Sequence, residues 1–204
     1  KTIKDDKADP KQDMLTVGIC ASACGIKALK EFFALMPPDS GMAFVVILHL
    51  SPDHESSLAH ILQQETKMPV HQVVKSVPVK PNEVYVIPPN KSLAMMDGTI
   101  ELAELSNHRG TRVAIDLFFR TLAHAYGRNG VCVVMSGSGS DGTIGLKRVK
   151  ESNGFAIVQD PEDAEYDSMP RSAIATNLVD WVLPVAEMPQ RLLKFKESSL
   201  QMKL

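Results

Sequence analysis

Cysteine is scarce in this chain: 204 residues hold three, Cys20, Cys24 and Cys132. An odd number builds no disulfide framework, and a reducing compartment is the simpler setting. Basic excess is missing as well. The formal net charge is −2, so no electrostatic footprint for nucleic acid arises. No apolar stretch is long enough to span a bilayer, and the polar N-terminus lacks the apolar core of a secretory signal. These absences predict a cytoplasmic protein with no nucleic-acid partner and no membrane insertion. Internal repeats and low-complexity core segments are absent too. So are the phosphate loop G-x-x-x-x-G-K-[ST] and a histidine pair spaced H-x-x-x-H. Neither a metal nor a cofactor is expected. The chain begins with Lys rather than Met, which reads as a fragment or processed piece.

What is present is the composition of an ordinary globular domain, 44% hydrophobic and 23% charged. Residues 1–13 are charged and nearly free of apolar side chains, and read as a disordered leader or linker. Residues 14–196 read as one domain, and 197–204 as the start of a C-terminal linker. Inside the domain, apolar runs alternate with amphipathic stretches. Strands are predicted over 14–19, 43–48, 84–89, 131–135, 155–159 and 179–183, and helices over 25–36, 54–66, 112–126, 143–152, 171–177 and 188–196. Asp97-Gly98 between 92–96 and 99–103 signals a hairpin. The fold class is therefore α/β: a doubly wound, mostly parallel sheet with helices on both faces and one antiparallel hairpin.

Three loops stand at the carboxyl ends of predicted strands: 20–25 (CASACG), 49–55 (HLSPDHE) and 136–142 (SGSGSDG). In open parallel sheets that edge is where active sites form. The loops deliver Ser22, His49 and Asp141, a hydroxyl, an imidazole and a carboxylate. Together these are the groups that activate a serine for acyl transfer. Each has a plainer reading. Ser22 and Asp141 suit helix N-caps, and His49 suits a strand end bonded to backbone. The G-x-S-x-G elbow is absent around Ser22. The amides of residues 136–140 are candidate oxyanion donors.

The segments CASACG, HLSPDHESSLAHIL, VYVIPPN, IDLFFRTLA, MSGSGSDGTIGLKRVKESNG and VQDPEDAEYDSMPRSAIAT, in this order, resemble the catalytic domain of the chemotaxis protein-glutamate methylesterase CheB family over residues 14–195. The wording of HLSPDHES, IDLFFR and EYDSMPRSAIA is closest to hybrids in which this domain is fused to a receptor methyltransferase. The resemblance implies a Ser–His–Asp triad, with Ser22 as nucleophile, His49 as base and Asp141 as the orienting acid. It implies hydrolysis of glutamate γ-methyl esters, and deamidation of glutamines, on the cytoplasmic helices of chemoreceptors, with no cofactor. The implied partners are methylated chemoreceptor cytoplasmic domains and a fused methyltransferase.

The chain departs from that family pattern at Cys20 and Cys24, where glycine is usual, at Ala23 and at Ser138. A left-handed backbone at position 24 would strain a cysteine by roughly 1–2 kcal/mol. Two alternatives follow: a receptor-docking or regulatory module that turns over weakly or not at all, and a general esterase for small esters. Other polar residues, among them Arg109, Arg112 and Arg171, read as surface charges or ion pairs.

Overall fold

The computed structural model describes residues 14–49, 57–104 and 110–201. Strand β1 (Thr16–Ser22) is followed by α1 (Ile26–Leu35), β2 (Ala43–His49) and α2 (Leu58–Gln63). Then come β3 (Val70–Gln72), β4 (Val77–Pro78), β5 (Val84–Val86), β6 (Lys91–Met96) and β7 (Thr99–Glu104). The second half holds α3 (Gly110–Tyr126), β8 (Gly130–Val134), α4 (Thr143–Glu151), β9 (Phe155–Gln159), α5 (Ser168–Ile174), β10 (Trp181–Leu183) and α6 (Met188–Gln201). Seven strands form one sheet in the order β10-β9-β8-β1-β2-β5-β3, every pair parallel.

Continuous apolar runs make this sheet because both of its faces are covered. On one face, Val45, Ile47, Cys20 and Cys132 pack against Phe118 and Phe119 of α3. On the other, Ile19 and Val46 pack against Phe32 and Phe33 of α1, which meet Phe44 edge to face. Burying each such side chain contributes roughly 1.5–3 kcal/mol. A Cβ at Gly18 would come within 2.9 Å of the Phe118 ring, so the missing side chain lets α3 lie close to the central strand.

The fold class matches the sequence expectation, with additions. The hairpin β6–β7 turns at Asp97-Gly98, both at positive φ (48° and 73°), as a two-residue type I′ turn requires. It gains a third strand, β4, antiparallel to β7, and is tied to α3 where Met95 N–H donates to Thr121 Oγ1 at 2.9 Å. Helix α2 is shorter than predicted within the described residues. Its Gln63 side chain bonds the carbonyls of Thr66 and Met68 and the amide of Val70, and so leads the chain directly into β3. Helix α6 runs through Gln201, so the linker expected from residue 197 is helical as far as that residue. Phe195 of α6 stacks on Phe155, and Arg191 lies 4.4 Å over Trp181. The leader expected over residues 1–13 lies outside the described residues. No helix among the described residues is long and apolar enough to cross a membrane.

The strand order reverses at β1. The chain builds β2 and β5 to one side of it and β8, β9 and β10 to the other. Such a switch point opens a crevice at the carboxyl edge, and the loops after β1 and β8 flank it.

Candidate active site

Strand β1 ends on Ser22. Strand alternation sets Gly18, Cys20 and Ser22 on one face, the face that carries α3. Ser22 is 7% exposed, and its Oγ has no hydrogen-bond partner among the described residues. The chain then makes one 3-10 turn (Ala23–Gly25) before α1. Ser22 occupies the cap position of that turn with extended backbone (φ −92°, ψ 177°), yet its side chain makes no cap bond. The cap reading of Ser22 therefore fails, and the hydroxyl is held buried with no partner among the described residues. Its own amide donates to Ser136 O at 3.2 Å, joining the loop after β1 to the loop after β8.

Strand β2 ends on His49, which stands directly beside Ser22 in the parallel register. The side chain of His49 lies outside the described residues. Asp141 is 5% exposed, in the loop between β8 and α4. It does not cap α4: that position belongs to Gly142, at φ 90°. A Cβ on Gly142 would press on Ile115 at 3.1 Å and on Cys20 Sγ at 3.3 Å. The turn carrying Asp141 thus folds over Cys20, two residues before Ser22 on the same face. Burial pushes the Cys20 thiol well above its ordinary value, and the charges of Cys132, Asp116 and Asp141 add to that.

A second loop clamps the first. The Ser136 amide donates to Gln159 Oε1 at 2.8 Å, and the Gly137 amide to Tyr166 O at 2.9 Å. Met169 N–H donates to Gly137 O at 2.9 Å, and Ser136 Oγ accepts from Tyr166 N–H at 2.9 Å. Of the candidate oxyanion donors at 136–140, the amides of Ser136 and Gly137 are already bonded. Ser138, Gly139 and Ser140 are exposed. Beside the clamp opens a groove of about 340 Å³, lined by Cys24, Lys27, Glu31, Ser136, Gln159 and Asp163 among others.

The sequence profile described as CheB methylesterase matches residues 17–192. The chain belongs to the CheB methylesterase family. A "Putative protein-glutamate methylesterase/protein-glutamine glutaminase" of Leptospira interrogans is 30% identical over 190 residues, 93% of this chain and 97% of that protein. "Protein-glutamate methylesterase/protein-glutamine glutaminase 1" of Geobacter metallireducens is 33% identical over 184 residues, 88% of this chain but 50% of its own length. The chain therefore spans about half of that relative. The structure titled "Crystal structure of Thermotoga maritima CheB methylesterase catalytic domain" superposes with a TM-score of 0.82 at 28% identity, covering 89% of this chain and 98% of that one.

Two cysteines of this CheB methylesterase domain take unstrained places. Cys24 is exposed and absent from the residues at positive φ, so the strain expected at position 24 does not arise. Cys20 fills core space beneath Gly142. Met135, Met169 and Cys132 are core residues. Arg171 pairs with Asp167 at 2.6 Å and Glu162 at 3.5 Å, a surface ion pair. Arg109 and the side chain of Arg112 lie outside the described residues.

Two polar residues of the site escaped sequence reasoning. Gln159, 2% exposed, holds the Ser136 amide and donates to Asp163 Oδ2 at 2.9 Å. Asp116 of α3 accepts the Gly145 amide of α4 at 2.7 Å. Burial raises the Asp116 carboxyl above 3.8, the Gly145 amide opposes that rise, and the nearby Asp141 charge adds to it. The usable signal was a polar side chain interrupting an apolar stretch: Asp116 within IDLFF, and Gln159 ending FAIVQ.

Proposed function

We propose that the domain hydrolyses glutamate γ-methyl esters, and deamidates glutamines, on the cytoplasmic helices of chemoreceptors through Ser22, His49 and Asp141. The observation that carries this reading is the buried Ser22 hydroxyl, unpartnered among the described residues, at the end of β1 and beside His49 in register. A serine in that state can donate its hydroxyl proton to a base. The family membership and the named activities of the relatives support the substrate class.

In the proposed sequence, His49 takes the Ser22 proton as Oγ attacks the substrate's γ-carbonyl carbon. Asp141 holds the imidazole tautomer and stabilises the imidazolium. The first amides of the turn Ala23–Gly25 face no earlier carbonyl of their own helix, and they receive the developing oxyanion. Collapse of the tetrahedral adduct breaks the ester C–O bond. The imidazolium protonates the departing methoxide, and methanol leaves; a glutamine loses ammonia instead. Water, deprotonated by His49, then attacks the glutamyl ester on Ser22 and releases glutamate and the free serine. In this reading the domain works in the cytoplasm on methylated chemoreceptors, with a receptor methyltransferase as the partner within a longer chain.

The test is methanol release from a methylated chemoreceptor cytoplasmic fragment. The wild type should release methanol, and Ser22→Ala should lower the rate by at least about 10³-fold. Binding of the fragment with no release by either protein supports the docking-module alternative. Hydrolysis of small esters alone supports the general esterase.

A further inference from the structure

Helix α4 begins immediately after the loop that carries Asp141, and it brings no acid in its own first turn and no side-chain cap. The Thr143 amide donates to Ser140 O at 3.4 Å within the loop, and the Gly145 amide finds its partner on another helix. Asp116 lies on α3, and its Oδ1 accepts the Gly145 N–H at 2.7 Å across 29 residues of chain. The amides of Gly142 and Ile144 act on the same carboxylate. The approach is close because Gly145 has no side chain: a Cβ there would stand 2.5 Å from Phe119 Cβ and 3.1 Å from Asp116 Cα. A carboxylate at a helix N-terminus satisfies orphan donors and meets the positive end of the dipole.

We propose that Asp116 is a positioning residue: by binding the first amides of α4 it fixes the turn at Gly142, and so holds the neighbouring Asp141 in place for the reaction. This rests on the reading of Asp141 as the carboxylate that orients His49. Asp116 touches no substrate. It acts through Gly142, which joins the loop to the helix with a left-handed backbone. A displacement of about 1 Å at a catalytic group can lower turnover by about 10²-fold.

The experiment compares wild type, Asp116→Ala and Asp116→Asn in methanol release from the methylated receptor fragment, with amide hydrogen exchange at Gly142 and Gly145 on the same proteins. Asp116→Ala should lower kcat by about 10²-fold and leave KM within about threefold, because ground-state binding is untouched. Asp116→Asn keeps one acceptor oxygen and should restore about tenfold of that loss. Exchange at Gly145 should quicken in the alanine variant. Wild-type kcat in folded Asp116→Ala overturns the proposal, as does a change in KM alone. Should the alanine variant fail to fold, Asp116→Asn decides: its kcat falls by about tenfold with KM unchanged, or the proposal is wrong. If wild type and Ser22→Ala release methanol equally, the esterase reading has failed on its own. Unaltered exchange at Gly142 and Gly145 then removes the anchoring claim separately.

Discussion

Ser22 sits where three contacts converge: its amide on Ser136, its strand on β2, and the turn toward α1 behind it. Gly25 makes that turn fit, since a Cβ there would meet Ala21 Cβ at 2.6 Å and Ser136 O at 2.7 Å. Neither neighbour is the end of a flexible side chain. Gly25→Ala should therefore cost about 1–3 kcal/mol of stability and lower kcat by displacing the serine. Thermal unfolding and methanol release check both, and an unchanged midpoint would show that the contact yields. The proposed candidates Ser22, His49 and Asp141 were nominated in the sequence because the loops that carry them follow apolar runs, and each run fixes which edge of the sheet its loop reaches. Asp116 and Gln159 were not. Their partners, the amides of Gly145 and Ser136, lie 29 and 23 residues away, and nothing local marks such a pairing. The supposed strain at Cys24 shows the converse: a residue type borrowed from a family pattern says nothing of the backbone until φ is known.

Elements long enough to bury a whole face were readable. The prediction for β9, 155–159, agrees with the structure to the residue, and β2 differs by one position, His49 itself. Two short strands, β3 and β4, were not readable, although the equally short β5 and β10 were. Strand β3 has three residues and β4 has two, too few for any period to show, and both exist only because a neighbouring strand offers unpaired backbone. Helix α2 illustrates a different limit. The apolar spacing of Leu58, Ile61 and Leu62 was correctly helical, but the end of the helix is set by the bonds of Gln63 to residues 66–70, not by periodicity. The start of α4 is the consequential case. A sequence reader assigns the cap to Asp141, the acidic residue at hand, whereas the fold uses a glycine at the cap and the carboxylate of α3 instead.

At the scale of the molecule, a parallel sheet covered on both faces keeps its titratable residues dry. Burial lifts the thiols of Cys20 and Cys132 above 9.0 and the Tyr85 phenol above 10.0. The folded chain retains these protons at a pH where the unfolded chain releases them. Their contribution is complete below the unfolded values and falls away as pH rises past about 9 for the thiols and about 10 for the phenol, by at most about 1.4 kcal/mol per pH unit for each group. Urea midpoints measured between pH 8 and pH 10.5 should fall steadily, more gently in Cys132→Ala; a flat profile would contradict the burial account. The same architecture gathers the proposed chemistry at the reversal point beside β1, from loops far apart in the chain. If the three side chains work as one relay, their losses cannot multiply. The decisive measurement is methanol release from the methylated receptor fragment by Ser22→Ala, His49→Ala and the double variant. The account predicts that Ser22→Ala alone lowers kcat by at least about 10³-fold and that adding His49→Ala lowers it no further. Costs that multiply in the double variant, or a Ser22→Ala protein that retains wild-type turnover, would contradict it.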